Sequence, residues 1–244
     1  MSGRLQDKVA LITGGARGQG RQEAERFAAE GAVVYITDVL DDVGAAAAGE
    51  LGDTVTFLHH DVTSEDDWSA VISGITEAHD RIDVLVNNAG IFSMTPSLET
   101  TLDAWNQMIA INQTGVFLGI RDVGRVMCAQ GSGSIINISS IAGLGGVGGA
   151  HAYAASKWAV RGMSKSAALE FADRGVRVNS VHPGIIDTDM LKQFGGNLER
   201  VKDAIPMGRT ASADEVANVV LFLASDEASY CSGHEFVVDG AMKA

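Results

Sequence analysis

Short runs rich in β-branched residues recur along the whole chain and alternate with longer Ala-rich or charged segments, and this alternation constrains the fold more than any other feature. The runs are Val9 to Thr13, Ala32 to Thr37, Val55 to His59, Ile82 to Val86, Ile135 to Ser139, Val176 to Val181 and Phe236 to Val238. They are mostly apolar without a break, the pattern of strands buried on both faces of a parallel sheet. The intervals read as helices. Gly18 to Glu30 stops at Gly31, Ser64 to Ala78 opens on a Ser-x-x-Asp cap signal, and Tyr153 to Ala172 stops before Gly175. Thr101 to Ala129 reads as another long helix. Strand and helix in alternation predict an α/β fold, a doubly wound parallel seven-stranded sheet with right-handed crossovers. Three prolines and the absence of an internal repeat leave no place for a boundary, so 1–244 reads as a single domain.

The balance of charges narrows the partners. A net charge of −13 repels phosphate backbones and anionic membrane surfaces, so neither nucleic acid nor a membrane is an expected partner. The apolar run Val9 to Ile12 is too short for a signal-peptide core, and no stretch of 18 apolar residues occurs. Cys128 and Cys231 form no CxxC pair and read as reduced thiols. The expected location is the cytoplasm.

The first run leads into Thr13-Gly14-Gly15-Ala16-Arg17-Gly18-Gln19-Gly20 and then directly into a helix. Glycines let backbone N–H groups approach a pyrophosphate closely, and the helix N-terminus behind them favours an anion without any lysine. The spacing Gly-x3-Gly-x-Gly departs from the common G-x-G-x-x-G fingerprint, so the loop needs a partner to be informative. Asp38 supplies it. It closes the second run 24 residues after Gly14, where an acid would accept from the adenosine ribose hydroxyls, and the ensemble predicts dinucleotide binding.

A second constellation points to proton transfer. Tyr153 and Lys157 are four residues apart on one helix, which puts both side chains on one face. A phenol with an ordinary pKa of about 10 is a poor base at neutral pH. A cation about 4 Å away contributes roughly 4 kcal/mol toward phenolate at an effective dielectric of 20, so Lys157, together with an oxidised nicotinamide, can make one. Ser140 follows the fifth run, at the strand end where open parallel sheets hold their ligands, and its hydroxyl can hold a substrate oxygen. Asn87-Asn88-Ala89-Gly90 ends the preceding run in the same way, and Asn112 falls inside a helix, where Asn is a mediocre former and invites a reason.

In Thr13-Gly14-x3-Gly18-x-Gly20, Asn87-Asn88-Ala89-Gly90, Asn112, Ser140, Tyr153-x3-Lys157 and Pro183-Gly184-x3-Thr188 the sequence resembles the short-chain dehydrogenase/reductase family over nearly its whole length. The resemblance implies a Rossmann fold and a catalytic tetrad of Asn112, Ser140, Tyr153 and Lys157. In it Tyr153 is the acid/base, Lys157 lowers its pKa and holds the nicotinamide ribose, Ser140 orients the carbonyl and Asn112 positions a relay water. It further implies cofactor contacts from Gly14, Arg17, Gly18, Gln19, Gly20 and Asp38, with Asp61 and Val62 flanking adenine, Asn88 lining the cleft, and Ile186 and Thr188 near the carboxamide. Asp38-Val39-Leu40-Asp41, Ser156-Lys157-Trp158 and Ser180-Val181-His182-Pro183-Gly184 are similar, more closely, to bacterial 3α(20β)-hydroxysteroid dehydrogenases. Gln19 departs from the pattern, standing where an aliphatic residue is usual. The long helices Thr101 to Ala129 and Tyr153 to Ala172 correspond to subunit-packing helices of that family, which implies a homotetramer.

Other residues carry less. His59 and His60 are neighbours on a strand and point to opposite faces, so they cannot converge on one ion, and no metal is expected. His151 and His182 receive no assignment. Gly143 to Gly149 reads as a flexible lip of the substrate site or a plain linker loop, and about 185–208, with Gly195-Gly196 at its middle, as a substrate lid, its Leu191 to Ile205 stretch equally open to a partner. The expected function is NAD(H)-dependent interconversion of a small-molecule secondary alcohol and its ketone, on a hydroxysteroid or another bulky cyclic substrate. The rivals are a 3-oxoacyl-carrier-protein reductase, disfavoured by the acidic charge and by Asp38, and a dinucleotide-sensing protein without activity, disfavoured by the intact tetrad.

Overall fold

The computed structural model describes residues 3–194 and 202–244. Seven strands, β1 (Val9–Thr13), β2 (Val33–Asp38), β3 (Val55–His59), β4 (Val84–Asn87), β5 (Gly133–Ile138), β6 (Val176–Pro183) and β7 (Glu235–Val238), form one sheet in the order β3-β2-β1-β4-β5-β6-β7. Every pairing is parallel, as the unbroken apolar runs predict. The main helices are α1 (Gly18–Ala29), α2 (Asp41–Leu51), α3 (Glu65–His79), α4 (Leu102–Ile109), α5 (Gly115–Gln130), α6 (His151–Phe171) and α7 (Ala213–Ala224).

Alternate residues of each strand feed two separate cores. Ala10, Ile12, Val34 and Ile36 pack with Phe27 of α1 and with Val216 and Val220 of α7 on one face. On the other, Val9, Leu11 and Leu85 pack with Trp68 of α3, Val123 of α5 and Val160 of α6. The chain winds outward from β1 in one direction through β2 and β3, and in the other through β4 to β7, so the order reverses between β1 and β4. Crevices open at such a reversal, beyond the C-terminal ends of the strands.

Local chemistry shifts several boundaries from the sequence reading. The fourth strand begins at Val84 rather than Ile82 because the Asp83 carboxylate accepts from the Val9 amide at 2.8 Å, putting a side chain where a ladder rung would stand. Strand β6 runs on to Pro183, which needs no donor there because Gly184 takes up the next bond to Val238 at 2.9 Å. Thr101 to Ala129 is not one regular helix. Thr101 caps α4, a π-helical turn follows at Ala110–Thr114, and α5 continues to Gln130. Of the expected lid, Asp189–Phe194 forms a 3₁₀ segment, while residues 195–201 lie outside the described ones.

Candidate functional site

Two sequence motifs 75 residues apart build the floor of the crevice at the reversal point. Thr13, the last residue of β1, accepts through Oγ1 from the amides of Asn88 and Ala89, both at 3.1 Å. Asn88 answers with Nδ2, which donates to the carbonyls of Thr13 at 2.9 Å and Gly14 at 3.0 Å. The glycine loop is therefore stitched to the end of β4. Gly14 has φ +67°, and a Cβ there would come within 2.8 Å of the Ala89 backbone. At Gly20 a Cβ would press on both the Asn88 side chain and the Gly14 carbonyl at 2.5 Å.

Gly18, at φ +59°, faces open space, with only the Thr188 side chain near 4 Å. Helix α1 starts there without any side-chain cap, whereas Ser64, Thr101 and Ser212 cap α3, α4 and α7. Its first N–H groups are left to meet an anion in the cleft. Gln19 Nε2 donates to Glu23 Oε1 at 2.9 Å and to Asn88 Oδ1 at 3.4 Å. Glu23 is fully buried, its Oε2 has no partner, and burial pushes its pKa up to about 8, so it stands as a neutral acid behind the loop.

Asp38 ends β2 beside this loop. Its carboxylate accepts from the Leu40 amide at 3.2 Å and, at 3.4 Å, from the Ala16 amide. Arg17 extends outward instead, its side chain 63% exposed and 4.0 Å from Asp189. His59 and His60 do point apart, His59 to Asp41 at 2.7 Å and His60 to Thr37 at 3.0 Å.

At the opposite end, β5 and α6 bring the polar groups together. Lys157 is buried, and its Nζ donates to the Ile138 carbonyl at 2.8 Å and lies 5.7 Å from the centre of the Tyr153 ring. Burial lowers its pKa to about 8. Tyr153 is hydrogen-bonded to Ser140, yet burial outweighs that bond and pushes the phenol above its ordinary value. The ammonium is thus held on the Ile138 carbonyl, 5.7 Å from the centre of the phenol ring, and with a pKa of about 8 it stays mostly protonated at neutral pH. Phe92 meets the Tyr153 ring edge-on at 4.9 Å.

Thirteen of the residues expected from the sequence line one cleft of about 920 Å³: Gly14, Arg17, Gly18, Gln19, Asp38, Asp61, Val62, Asn88, Ser140, Tyr153, Lys157, Ile186 and Thr188. Gly20 and Asn112 stand behind its wall. Asn112 sits in the π-turn, and its amide clamps the Ile91 backbone, accepting from N and donating to O, both at 2.8 Å. Val147 of the expected lip and Met190 and Leu191 of the expected lid line the cleft, whereas the apolar lining of Ile91, Phe92 and Met242 is marked by no motif.

An elongated cleft with a glycine-cradled, uncapped helix start and a fixed acid at one end, and a Tyr–Lys–Ser cluster at the other, fits a nicotinamide dinucleotide. The family model described as enoyl-(acyl carrier protein) reductase matches residues 14–243. The chain is 48% identical over 240 residues to the 3-alpha-(or 20-beta)-hydroxysteroid dehydrogenase of Mycobacterium tuberculosis, covering 98% of this chain and 91% of that one. The chain belongs to the short-chain dehydrogenase/reductase family. It is also 44% identical to the cyclopentanol dehydrogenase of Comamonas testosteroni, with 99% of each chain covered. The crystal structure of levodione reductase superposes with a TM-score of 0.93 at 36% identity, covering 97% of this chain and 98% of that one. Among the described residues no helix is long and apolar enough to cross a membrane.

Proposed function

We propose that this protein interconverts a secondary alcohol and its ketone on a bulky cyclic substrate, using NAD(H). The observation that carries the reading is the convergence of Ser140, Tyr153 and Lys157 at one end of the cleft that the glycine loop and Asp38 close at the other. The bound dinucleotide supplies the hydride acceptor for oxidation and the hydride donor for reduction. Gly14, Gly18 and the start of α1 hold its pyrophosphate, Asp38 its adenosine ribose, Asp61 and Val62 its adenine, and Ile186 and Thr188 its carboxamide.

The chain's own part is the proton. In reduction Ser140 donates to the carbonyl oxygen and orients it, and Tyr153 gives that oxygen a proton as charge develops on it. In oxidation Tyr153 takes the hydroxyl proton back. Lys157 stabilises the phenolate left behind, and Asn112 keeps the Ile91 segment and the π-turn in place for proton relay. The apolar lining from Ile91, Phe92, Val147 and Met242 excludes water and suits an alicyclic skeleton, as do the substrates in the names of the related hydroxysteroid and cyclopentanol dehydrogenases. The free thiols Cys128 and Cys231 suit work in a reducing cytoplasm, and the assembly we propose is a homotetramer.

A panel assay tests the reading. Hydroxysteroids, cyclic ketones and alcohols, aliphatic ketones and 3-oxoacyl thioesters are incubated with NAD(H) or NADP(H) while nicotinamide absorbance is followed. Turnover of cyclic substrates is expected. Turnover confined to thioesters makes the protein an acyl-chain reductase, and none at all makes it a dinucleotide sensor.

A further inference from the structure

His182 precedes the last residue of β6, and its side chain is completely buried. Its Nδ1 lies 3.0 Å from the Ser140 carbonyl oxygen and its Nε2 2.9 Å from Ser180 Oγ. A carbonyl can only accept, so Nδ1 carries the ring hydrogen; in the neutral ring Nε2 is then a lone pair that accepts from the Ser180 hydroxyl. Burial lowers the pKa of the ring, which keeps it in this neutral form. One tautomer satisfies both neighbours, and the ring orientation is fixed from each side.

The other end of this bond is a residue that needs holding. Strand β5 ends at Ile138, and the last rung beyond it is the Ser139 amide on the Val181 carbonyl at 2.8 Å. Ser140 lies past that rung, extended at φ −170° and ψ 163°. Two of its bonds come from the turn it begins: the Ala142 amide donates to Oγ at 3.1 Å, and the Gly143 amide to the carbonyl at 2.8 Å. Both partners belong to the same turn as Ser140 and move with it. His182 is different. It is rooted in the neighbouring strand, 42 residues away, and ties the Ser140 backbone to the sheet. Ile138 is likewise tied to α6 through Lys157, so the strand end is pinned toward α6 at one residue and toward β6 two residues later.

We propose that His182 is a positioning residue for catalysis: its Nδ1–H donation to the Ser140 carbonyl sets where the Ser140 hydroxyl meets the substrate oxygen and Tyr153. The inference rests on the alcohol–ketone reading above. A displacement of about 1 Å at a group that aligns reactants can cost on the order of 10²-fold in rate. The effect belongs in the chemical step, since His182 lies outside the cleft that holds the dinucleotide.

The experiment compares His182→Asn, whose amide can put an N–H where Nδ1–H stands, with His182→Gln, whose amide reaches the Nε2 position instead, and with His182→Leu, which has no donor. For each protein, kcat and KM for a cyclic alcohol, the isotope effect with the carbinol-deuterated alcohol, and NADH affinity by fluorescence titration are measured. Expected are a kcat lower by about 10-fold or more in Leu and Gln, a larger isotope effect, NADH affinity within about twofold of the parent, and recovery of most of kcat in Asn. If Leu does not fold, the Asn and Gln pair carries the same decision. Parental kcat in Gln or Leu overturns the proposal, as does an Asn variant as slow as Gln, or a loss of NADH affinity parallel to the loss of kcat. An unmodified protein that turns over no alcohol or ketone defeats the underlying reading instead, which separates the two failures.

Discussion

Lys157 donates to the carbonyl of Ile138 at 2.8 Å, so the ammonium of the Tyr-x3-Lys pair is anchored to the end of β5 and not to the phenol it assists. Burial moves both partners toward their neutral forms, Lys157 down to about 8 and Tyr153 above its ordinary 10. With the oxidised nicotinamide bound, the Lys157 charge favours phenolate, so the kcat/KM of alcohol oxidation should rise as Tyr153 gives up its proton, at a lower pH than the phenol alone would require. In Lys157→Met only the phenol remains to titrate. The rise is expected to move above pH 10, with turnover lower at every pH below it. A pH profile unchanged in the variant would remove Lys157 from the tuning of Tyr153.

Tyr153→Phe deletes one hydroxyl and keeps the ring that Phe92 packs against edge-on. The fold and NADH binding should survive, while turnover falls by at least the ~10²-fold typical of a lost general acid/base. Steady-state rates together with a fluorescence titration of NADH check both halves. Turnover within tenfold of the parent would take Tyr153 out of the proton path.

The sheet was legible because its signal is local: each buried parallel strand writes an unbroken apolar run, and each helix after it ends in a glycine or begins with a cap. Residues that work through distant partners left weaker traces. Asn112 stands out in sequence as a polar residue within a helix, but its clamp on Ile91 and the π-turn around it depend on a contact 21 residues away. Asn88 lines the cleft, and its bond to the carbonyl of Thr13 crosses 75 residues. His182 could not be assigned at all, since nothing near it in sequence marks Ser140 as its partner. Gln19 and Glu23 are visible as an i, i+4 pair, yet the burial of Glu23 is a property of α1 packed on the sheet and on α7.

That burial has a pH consequence. The folded chain holds the Glu23 proton up to about pH 8, whereas an unfolded glutamate releases it near 4.5. Between those values the folded state binds more protons than the unfolded one, so this contribution to stability is complete below pH 4.5 and is lost progressively up to about pH 8. The loss runs at up to about 1.4 kcal/mol per pH unit. Glu23→Gln keeps the shape without the titration. Thermal melts should show the variant more stable than the parent at pH 9, with that advantage gone at pH 4.5. An equal difference at both pH values would mean that Glu23 does not change its charge within the fold.

Helices α5 and α6 leave large apolar side chains at the surface, with Phe117 and Trp158 nearly half exposed and Leu169 at 84%. Covering such side chains in a subunit contact is favourable. Light scattering at micromolar concentration should give a tetramer mass, and Leu169→Glu with Trp158→Glu should lower it. A monomer mass for the unmodified chain would rule the assembly out.

Cofactor choice sets Arg17 against Asp38, and their surroundings decide between them. Arg17 favours a 2′-phosphate, but its side chain is 63% exposed and lies 4.0 Å from the Asp189 carboxylate. Asp38 is fixed, with its carboxylate held by the Leu40 and Ala16 amides at the end of β2. A 2′-phosphate carrying nearly two negative charges beside it would cost roughly 4 kcal/mol per unit repulsion at about 4 Å and an effective dielectric of 20. One exposed cation returns only about 0–1 kcal/mol. With NADP(H), Asp38 also gives up the ribose hydroxyls it is placed to accept from. The expected result is a kcat/KM preference for NAD(H) of at least ~10²-fold, equivalent to about 2.7 kcal/mol, which Asp38→Ala largely erases. Comparison of the two cofactors at saturating alcohol measures it, and equal use of both by the unmodified protein would show that Arg17 governs the site.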